Sequence, residues 1–120
     1  MPADPSIDPQ VIEGLRALSP EGGNEFLKEL VDIYLQDTPE RLTELDQALA
    51  RQDAPTVTRA AHTIKGSSSN FGARELARLA LEIELSGKAA NLAAAAAAAP
   101  GLKAEYQRVA EALTQISSGT

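Results

Sequence analysis

The segment TRAAHTIKGSSSNFG, residues 58–72, contains the only histidine of this 120-residue chain. At about 100° per residue the segment reads as an amphipathic helix whose apolar side is centred on Ile64. His62 lies roughly 160° from Ile64 on such a helix, in a polar stripe that also holds Lys65 and Gly66. We therefore predict a helix that buries its apolar side and exposes the imidazole to solvent.

Apolar residues recur at helical spacing along the rest of the chain, and no alternating β-branched run is present. A short helix is predicted over residues 8–18, with Asp8 as its N-cap and Pro9 in its first turn. Four long helices follow within residues 24–116, and Gly72 lets the chain turn between the middle two. The sequence predicts an all-α fold, an antiparallel up-down four-helix bundle with a short additional N-terminal helix.

Two prolines lie inside the predicted long helices. Pro39 allows either one long kinked helix or a second helix that begins under an Asp37 or Thr38 cap, and we favour one helix because no glycine intervenes. Seven alanines at residues 93–99 come directly before Pro100. Because alanine has the highest helix propensity, we predict one last helix, kinked or restarted near Pro100.

Caps and chain ends complete the organisation of a single domain that spans the whole chain. Asn24 and Asp53 are expected to cap the second and third helices, and Gly87 to close the fourth. The Pro-rich residues 1–6 are expected to be loose, and residues 117–120 to fray.

Composition excludes several classes of function. Eleven basic and seventeen acidic residues give a formal net charge of −6 without a basic stripe, so nucleic acid is not an expected partner. The absence of cysteine excludes disulfides and thiolate metal sites. No apolar segment approaches the ~20 residues of a membrane span, and MPADP does not resemble the start of a signal peptide. We expect a soluble, cytoplasmic, monomeric domain that binds no membrane.

The polar stripe around the histidine suits phosphoryl chemistry. Near neutral pH an exposed imidazole is largely uncharged and nucleophilic, so His62 could attack an acyl phosphate. Lys65 supplies a positive charge for a phosphoryl group carried there. Gly66 costs about 1 kcal/mol in a helix interior and leaves room for a large partner. Glu84 is a candidate to orient the imidazole, and an ordinary surface carboxylate is the alternative.

Other chemistries fit less well. A metal site usually needs several histidine, cysteine or carboxylate ligands, and this chain has one histidine and no cysteine, so no metal is predicted. No nucleophile-elbow sequence supports Ser-His hydrolysis. No Gly-rich phosphate-binding loop is present, so we expect the chain neither to bind ATP nor to phosphorylate itself.

The motif HTIKGSS at residues 62–68 resembles the signature of histidine-containing phosphotransfer (HPt) domains, which are the intermediates of two-component phosphorelays. The resemblance covers roughly residues 24–116. Further matching segments are FLKELV at 26–31, DTPERL at 37–42, FGA at 71–73, Leu76-Ala77, Ile83-Glu84, and a weaker pattern around Tyr106 and Leu113. The resemblance implies a four-helix bundle with its phosphoacceptor histidine exposed in mid-helix.

The resemblance also implies roles for individual residues. His62 would be the phosphorylation site, Lys65 would steady the phosphoryl group, and Gly66 would leave space for a receiver domain. Glu84 aligns with a polar family position near the active histidine, where glutamine is also common. The chain would then be a phosphoryl carrier without an ATP site of its own.

The implied partners are response-regulator receiver domains and a sensor or hybrid histidine kinase. The receiver would supply the aspartate and the divalent metal, so no cofactor is expected in this chain. Exposed residues beside His62 are expected to form the docking patch, namely Thr58, Arg59, Ser69 and Leu81.

Three other functions compete with that of a phosphorelay carrier. A helical module that docks a receiver or kinase without chemistry could lose His62 freely, so its retention argues against that function. The histidine-bearing domain of a chemotaxis-type kinase shares His-x-x-Lys-Gly, although SSSN at residues 67–70 is more typical of the phosphorelay group. A dimerising sensor-kinase helix pair normally has an acidic residue after the histidine, which Thr63 does not provide.

Overall fold

The computed structural model describes residues 6–19 and 24–118, and no strand occurs within these two ranges. The five α-helices are α1 (Pro9–Ala17), α2 (Glu25–Arg51), α3 (Ala54–Ser69), α4 (Arg74–Lys88) and α5 (Leu92–Ser118). Helices α2 to α5 pack as a four-membered ring, α2 on α3, α3 on α4, α4 on α5 and α5 on α2, and α1 packs on α2. The predicted four-helix bundle with an additional N-terminal helix is confirmed.

The chain ends are described only in part. Residues 1–5 of the predicted loose N-terminus lie outside the described residues, as do residues 119–120 of the predicted frayed end. The remaining residues of that end, Ser117 and Ser118, belong to α5.

All three predicted N-cap residues occupy their positions, and two of them form a capping hydrogen bond through the side chain. Asp8 accepts a hydrogen bond from the Gln10 backbone N–H at 2.9 Å, with Pro9 as the first residue of α1. Asp53 accepts one from the Thr56 backbone N–H at 3.2 Å at the start of α3. Each carboxylate satisfies a backbone donor that has no partner within its helix.

Asn24 is the N-cap residue of α2, as predicted, but its side chain forms no capping hydrogen bond. Asn24 occupies the N-cap position, and its backbone carbonyl accepts from the Lys28 N–H at 2.7 Å. Its side-chain Oδ1 accepts instead from Arg16 Nε at 2.7 Å. A charged guanidinium is a stronger donor than a backbone amide, and the contact ties the end of α1 to the start of α2.

Both prolines lie inside continuous helices. Pro39 is within α2, so the alternative of a new helix under an Asp37 or Thr38 cap is wrong, and the Thr38 side chain is buried. Pro100 is within α5, which begins before the polyalanine run. Buried alanines belong to the core, among them Ala95 of that run, and the core also contains larger aliphatic residues and an aromatic group.

The aromatic group joins three parts of the bundle. The Tyr34 ring of α2 lies 5.1 Å from the Phe71 ring and 5.9 Å from the Tyr106 ring of α5, measured between ring centroids. The buried Tyr34 hydroxyl is 2.7 Å from Ser68 Oγ of α3. Burial raises the pKa of Tyr34 above its ordinary value, so the phenol stays neutral and both hydroxyls keep a partner.

Two glycines lie near the ends of α4, Gly72 before its start and Gly87 in its last turn, and glycine has a different role at each position. Gly72 has a φ of +68°, and a Cβ there would lie 2.5 Å from Asp8 Cβ. Both the backbone conformation and the lack of space therefore require glycine at this turn. Gly87 was expected to close α4, but the helix continues to Lys88 and the left-handed residue after it is Ala90, with φ +57°. The predicted capping role of Gly87 is therefore wrong.

We predict that Gly72→Ala lowers the free energy of unfolding by about 1–3 kcal/mol, because alanine is strained at this φ and its methyl collides with Asp8. The matched control is Gly14→Ala in α1, where a Cβ meets nothing within 4 Å. This control should raise stability by about 0.5–1 kcal/mol. Urea denaturation of both variants checks the prediction, and effects of the same sign would contradict it.

Candidate functional site

His62 lies in the middle of α3 with its imidazole exposed, as the helical periodicity predicts. The side chain is 65% accessible. The opposite side of α3 is buried in the bundle through five residues, Val57, Ala60, Ala61, Ile64 and Ser68. Core packing therefore fixes the rotation of the helix and turns the histidine outward.

Glu84 of α4 contacts the imidazole from the buried side of the ring. Its Oε2 is 3.0 Å from His62 Nδ1, and its side chain is only 5% accessible. An ionised carboxylate can only accept hydrogen bonds, so Nδ1 carries the proton in this contact. A neutral imidazole with a proton on Nδ1 keeps the lone pair of Nε2 free on its solvent side. The arrangement thus selects the tautomer in which Nε2 is the nucleophile.

Two lysines neutralise the same carboxylate. Lys65 Nζ lies 2.8 Å from Glu84 Oε1, and Lys88 Nζ lies 3.6 Å from Oε2. The Lys65 contact is an ion pair without hydrogen-bond alignment, since Oε1 has no aligned donor. Lys88 was not among the residues predicted for the site. Its position four residues after Glu84 on the same helix is the sequence signal that could have indicated it.

These contacts keep Glu84 ionised despite its burial. Burial raises the pKa of its carboxyl group, but the ion pair with Lys65 and the hydrogen bond with His62 outweigh that effect. The net result is a Glu84 pKa below its ordinary value. The site therefore holds a permanent negative charge behind the imidazole at neutral pH.

Gly66 leaves the surface beside His62 open. A Cβ placed at Gly66 would meet no atom within 4 Å, so no packing contact inside this chain requires glycine there. Helix propensity would favour a larger residue at this position. The open space is available to an approaching molecule.

The four predicted docking residues differ in exposure. Arg59 and Ser69 are exposed on α3, and Leu81 is exposed on α4. Thr58 is only partly exposed, and its Oγ1 donates to the Ala54 carbonyl at 2.9 Å. Leu85, one turn after Leu81, is a further large apolar side chain that faces solvent. A role for these residues in binding stays a prediction.

Two negative findings apply to the described ranges, residues 6–19 and 24–118. No group of three histidine, aspartate or glutamate side chains in them is arranged to hold a metal ion. None of the helices formed by these residues is long and apolar enough to span a bilayer.

The site is therefore a single imidazole that a helical bundle presents to solvent. A buried carboxylate contacts its Nδ1, and a lysine lies one turn along α3. The sequence model of the Hpt domain matches residues 29–112 of this chain. The chain belongs to the Hpt domain family.

Two relatives agree with this assignment. The phosphorelay intermediate protein rdeA of Dictyostelium discoideum is 34% identical over 94 residues, which are 78% of this chain. The chain spans only 37% of the length of that relative. The crystal structure of histidine-containing phosphotransfer protein B from Pseudomonas aeruginosa PAO1 superimposes with a TM-score of 0.87, at 31% identity and over 96% of each chain.

We predict that Glu84→Ala changes the tautomer of His62, because it removes the acceptor that holds the Nδ1 proton. Nitrogen-15 NMR of the imidazole near neutral pH should show the proton moving in large part to Nε2. Glu84→Gln is the matched control, since its amide oxygen can still accept from Nδ1 and should keep the wild-type tautomer. Identical imidazole spectra for wild type and Glu84→Ala would show that Glu84 does not orient the ring.

Proposed function

We propose that this chain is a phosphoryl carrier of a phosphorelay, in which His62 accepts a phosphoryl group from a receiver-domain aspartate and passes it to another receiver. The observation that supports the proposal is the 3.0 Å hydrogen bond between the buried carboxylate of Glu84 and Nδ1 of an imidazole that is exposed to solvent. Membership of the Hpt family points to the same chemistry.

The transfer step balances with the groups that the site provides. The Nε2 lone pair attacks phosphorus of the aspartyl phosphate, the bond from phosphorus to the carboxyl oxygen breaks, and the aspartate leaves as a carboxylate. The product is a phosphoramidate on Nε2 whose ring still carries the Nδ1 proton, so the ring gains positive charge. Glu84 stabilises that charge because it is ionised, buried and already in contact with Nδ1.

Lys65 is proposed to stabilise the phosphoryl oxygens. Its ammonium group has three donors on a flexible stem, so it can keep one contact with Glu84 and turn another N–H towards a phosphoryl oxygen. The ion pair with Glu84 holds Nζ near the imidazole before the phosphoryl group arrives, which reduces the entropy lost in the transfer step.

The partners in this proposal are receiver domains and a sensor or hybrid histidine kinase. The receiver supplies the aspartate and a divalent metal, and the carrier supplies the imidazole and the surface around it. Gly66 is proposed to let the receiver backbone approach His62. The docking surface comprises Thr58, Arg59, Ser69 and Leu81, with Thr58 at its half-buried edge.

The proposal also assigns the chain a place in the relay. It would act without an ATP site of its own, as a carrier whose chemistry needs a phosphorylated partner. A cytoplasmic location and a monomeric state stay predictions.

The proposed function is tested by incubating the chain with a receiver domain that carries radioactive aspartyl phosphate. We expect label on the wild-type chain that is lost in acid and kept in base, as a phosphoramidate requires. His62→Gln should take no label, and because the glutamine amide can still donate a hydrogen bond to Glu84, the variant should stay folded, which circular dichroism checks. Label on His62→Gln would overturn the proposal, and a wild type that binds the receiver without taking label would make it a docking module.

The role of the open space at Gly66 is tested with a matched pair of variants. Gly66→Leu places a side chain beside His62, whereas Gly101→Leu places one on α5, where a Cβ also meets nothing within 4 Å. We expect Gly66→Leu to slow phosphoryl transfer roughly 10- to 100-fold by displacing the receiver. Gly101→Leu should leave the rate unchanged. Equal rates for the two variants, each confirmed as folded by circular dichroism, would contradict this role.

A further inference from the structure

Helices α3 and α4 approach one another very closely at Gly87. A Cβ on Gly87 would lie 3.1 Å from the backbone N and 3.3 Å from the Cα of Thr58, and it would collide with Thr58 Oγ1. Optimal contacts between heavy atoms are about 3.5–4.0 Å long, so all three distances are too short for a side chain. The Cα of Gly87 therefore lies against the Thr58 backbone in a way that only glycine permits.

Rotation of the Thr58 side chain does not relieve this contact. Its Oγ1 is held by a hydrogen bond to the Ala54 carbonyl at 2.9 Å, and branching at Cβ restricts the rotation of threonine in a helix. The two backbone distances would remain even without the hydroxyl. A methyl group at residue 87 must therefore move the helices apart.

The close contact is one helical turn from the proposed site. His62 follows Thr58 by four residues on α3, and Glu84 precedes Gly87 by three residues on α4. The pairs Thr58–Gly87 and His62–Glu84 are thus successive rungs between antiparallel helices, about 5.4 Å apart along the axes. The spacing of the helices at the first rung fixes their spacing at the second.

The backbone conformation at residue 87 does not require glycine. It has no positive φ, and α4 continues beyond it to Lys88. Glycine weakens a helix interior relative to alanine, so its presence here has a local cost. Gly14, Gly66 and Gly101 differ from Gly87, because a Cβ on any of them would meet nothing within 4 Å.

We propose that Gly87 is a positioning residue of the site: by admitting the Thr58 backbone, it sets the distance between α3 and α4 at which Glu84 reaches His62. Its effect on phosphoryl transfer rests on the function proposed above, whereas its effect on the imidazole does not. A side chain at residue 87 requires a shift between the helices, by a few tenths of an ångström for the two backbone contacts and by more for the contact with Thr58 Oγ1. Such a shift would lengthen the 3.0 Å contact between Glu84 Oε2 and His62 Nδ1 beyond hydrogen-bond range.

The test is Gly87→Ala, read by nitrogen-15 NMR of the His62 imidazole near neutral pH. We expect the fraction of the Nδ1-protonated tautomer to fall at least about twofold, in the direction expected for Glu84→Ala. Gly101→Ala, also a helical glycine to alanine change, should leave the spectrum unchanged. A folded Gly87→Ala chain with the wild-type tautomer ratio would overturn the proposal, because a purely structural role would change stability and leave the tautomer alone.

A paired variant keeps the proposal testable even if Gly87→Ala does not fold. Thr58→Ala combined with Gly87→Ala removes the hydroxyl that makes the shortest contact and leaves the two backbone contacts. The Nδ1-protonated fraction should lie between those of wild type and Glu84→Ala. A value equal to wild type would show that the helix spacing at this rung does not govern Glu84.

Phosphoryl transfer from a labelled receiver separates this proposal from the proposed function. If wild type takes label, Gly87→Ala should take it roughly tenfold more slowly, and Gly101→Ala at the wild-type rate. If wild type takes no label, the proposed function fails, while the NMR comparison still decides the role of Gly87.

Discussion

The candidate site depends on the buried charge of Glu84. Glu84 lies in the packed interface between α3 and α4, where an ionised carboxylate without partners would cost several kcal/mol. Its partners come from both sides, the imidazole and Lys65 from α3 and Lys88 from its own helix. The contacts that make burial of the charge tolerable are the same contacts that orient the imidazole, so stability and reactivity have a common origin here.

The residues that stabilise the bundle and the residues of the candidate site lie on opposite sides of α3. One side of α3 contributes to the aliphatic core and, through Ser68, to the buried hydroxyl pair with Tyr34. The other side carries the imidazole, the ammonium group of Lys65 and an open glycine. A rotation of α3 that exposed the core would also bury His62, so hydrophobic packing alone keeps the nucleophile at the surface.

Helical periodicity predicted much of this arrangement because it reports the direction in which each side chain leaves its own helix. The burial of Ile64, the exposure of His62 and the continuous helix through Pro39 each depend on the residue pattern within a single helix. The neighbours of Glu84 depend instead on how α3 and α4 slide past one another, and periodicity does not contain that register. The tight contact at Gly87 was missed for this reason. Lys88 was missed although its spacing of four residues from Glu84 on the same helix indicates the contact. The Asn24 side chain was expected to form a capping hydrogen bond, and it bonds instead to Arg16, which belongs to another helix.

The exposure of His62 has a further consequence for a carrier. In the part of the chain that the structure describes, 65% of the His62 side chain is accessible, so donor and acceptor would meet the same surface in the same state. A site of this kind is reversible and carries no direction of its own. The net flow of phosphoryl groups would follow from mass action, that is, from the relative free energies of the two aspartyl phosphates and from the concentrations of the proteins that carry them.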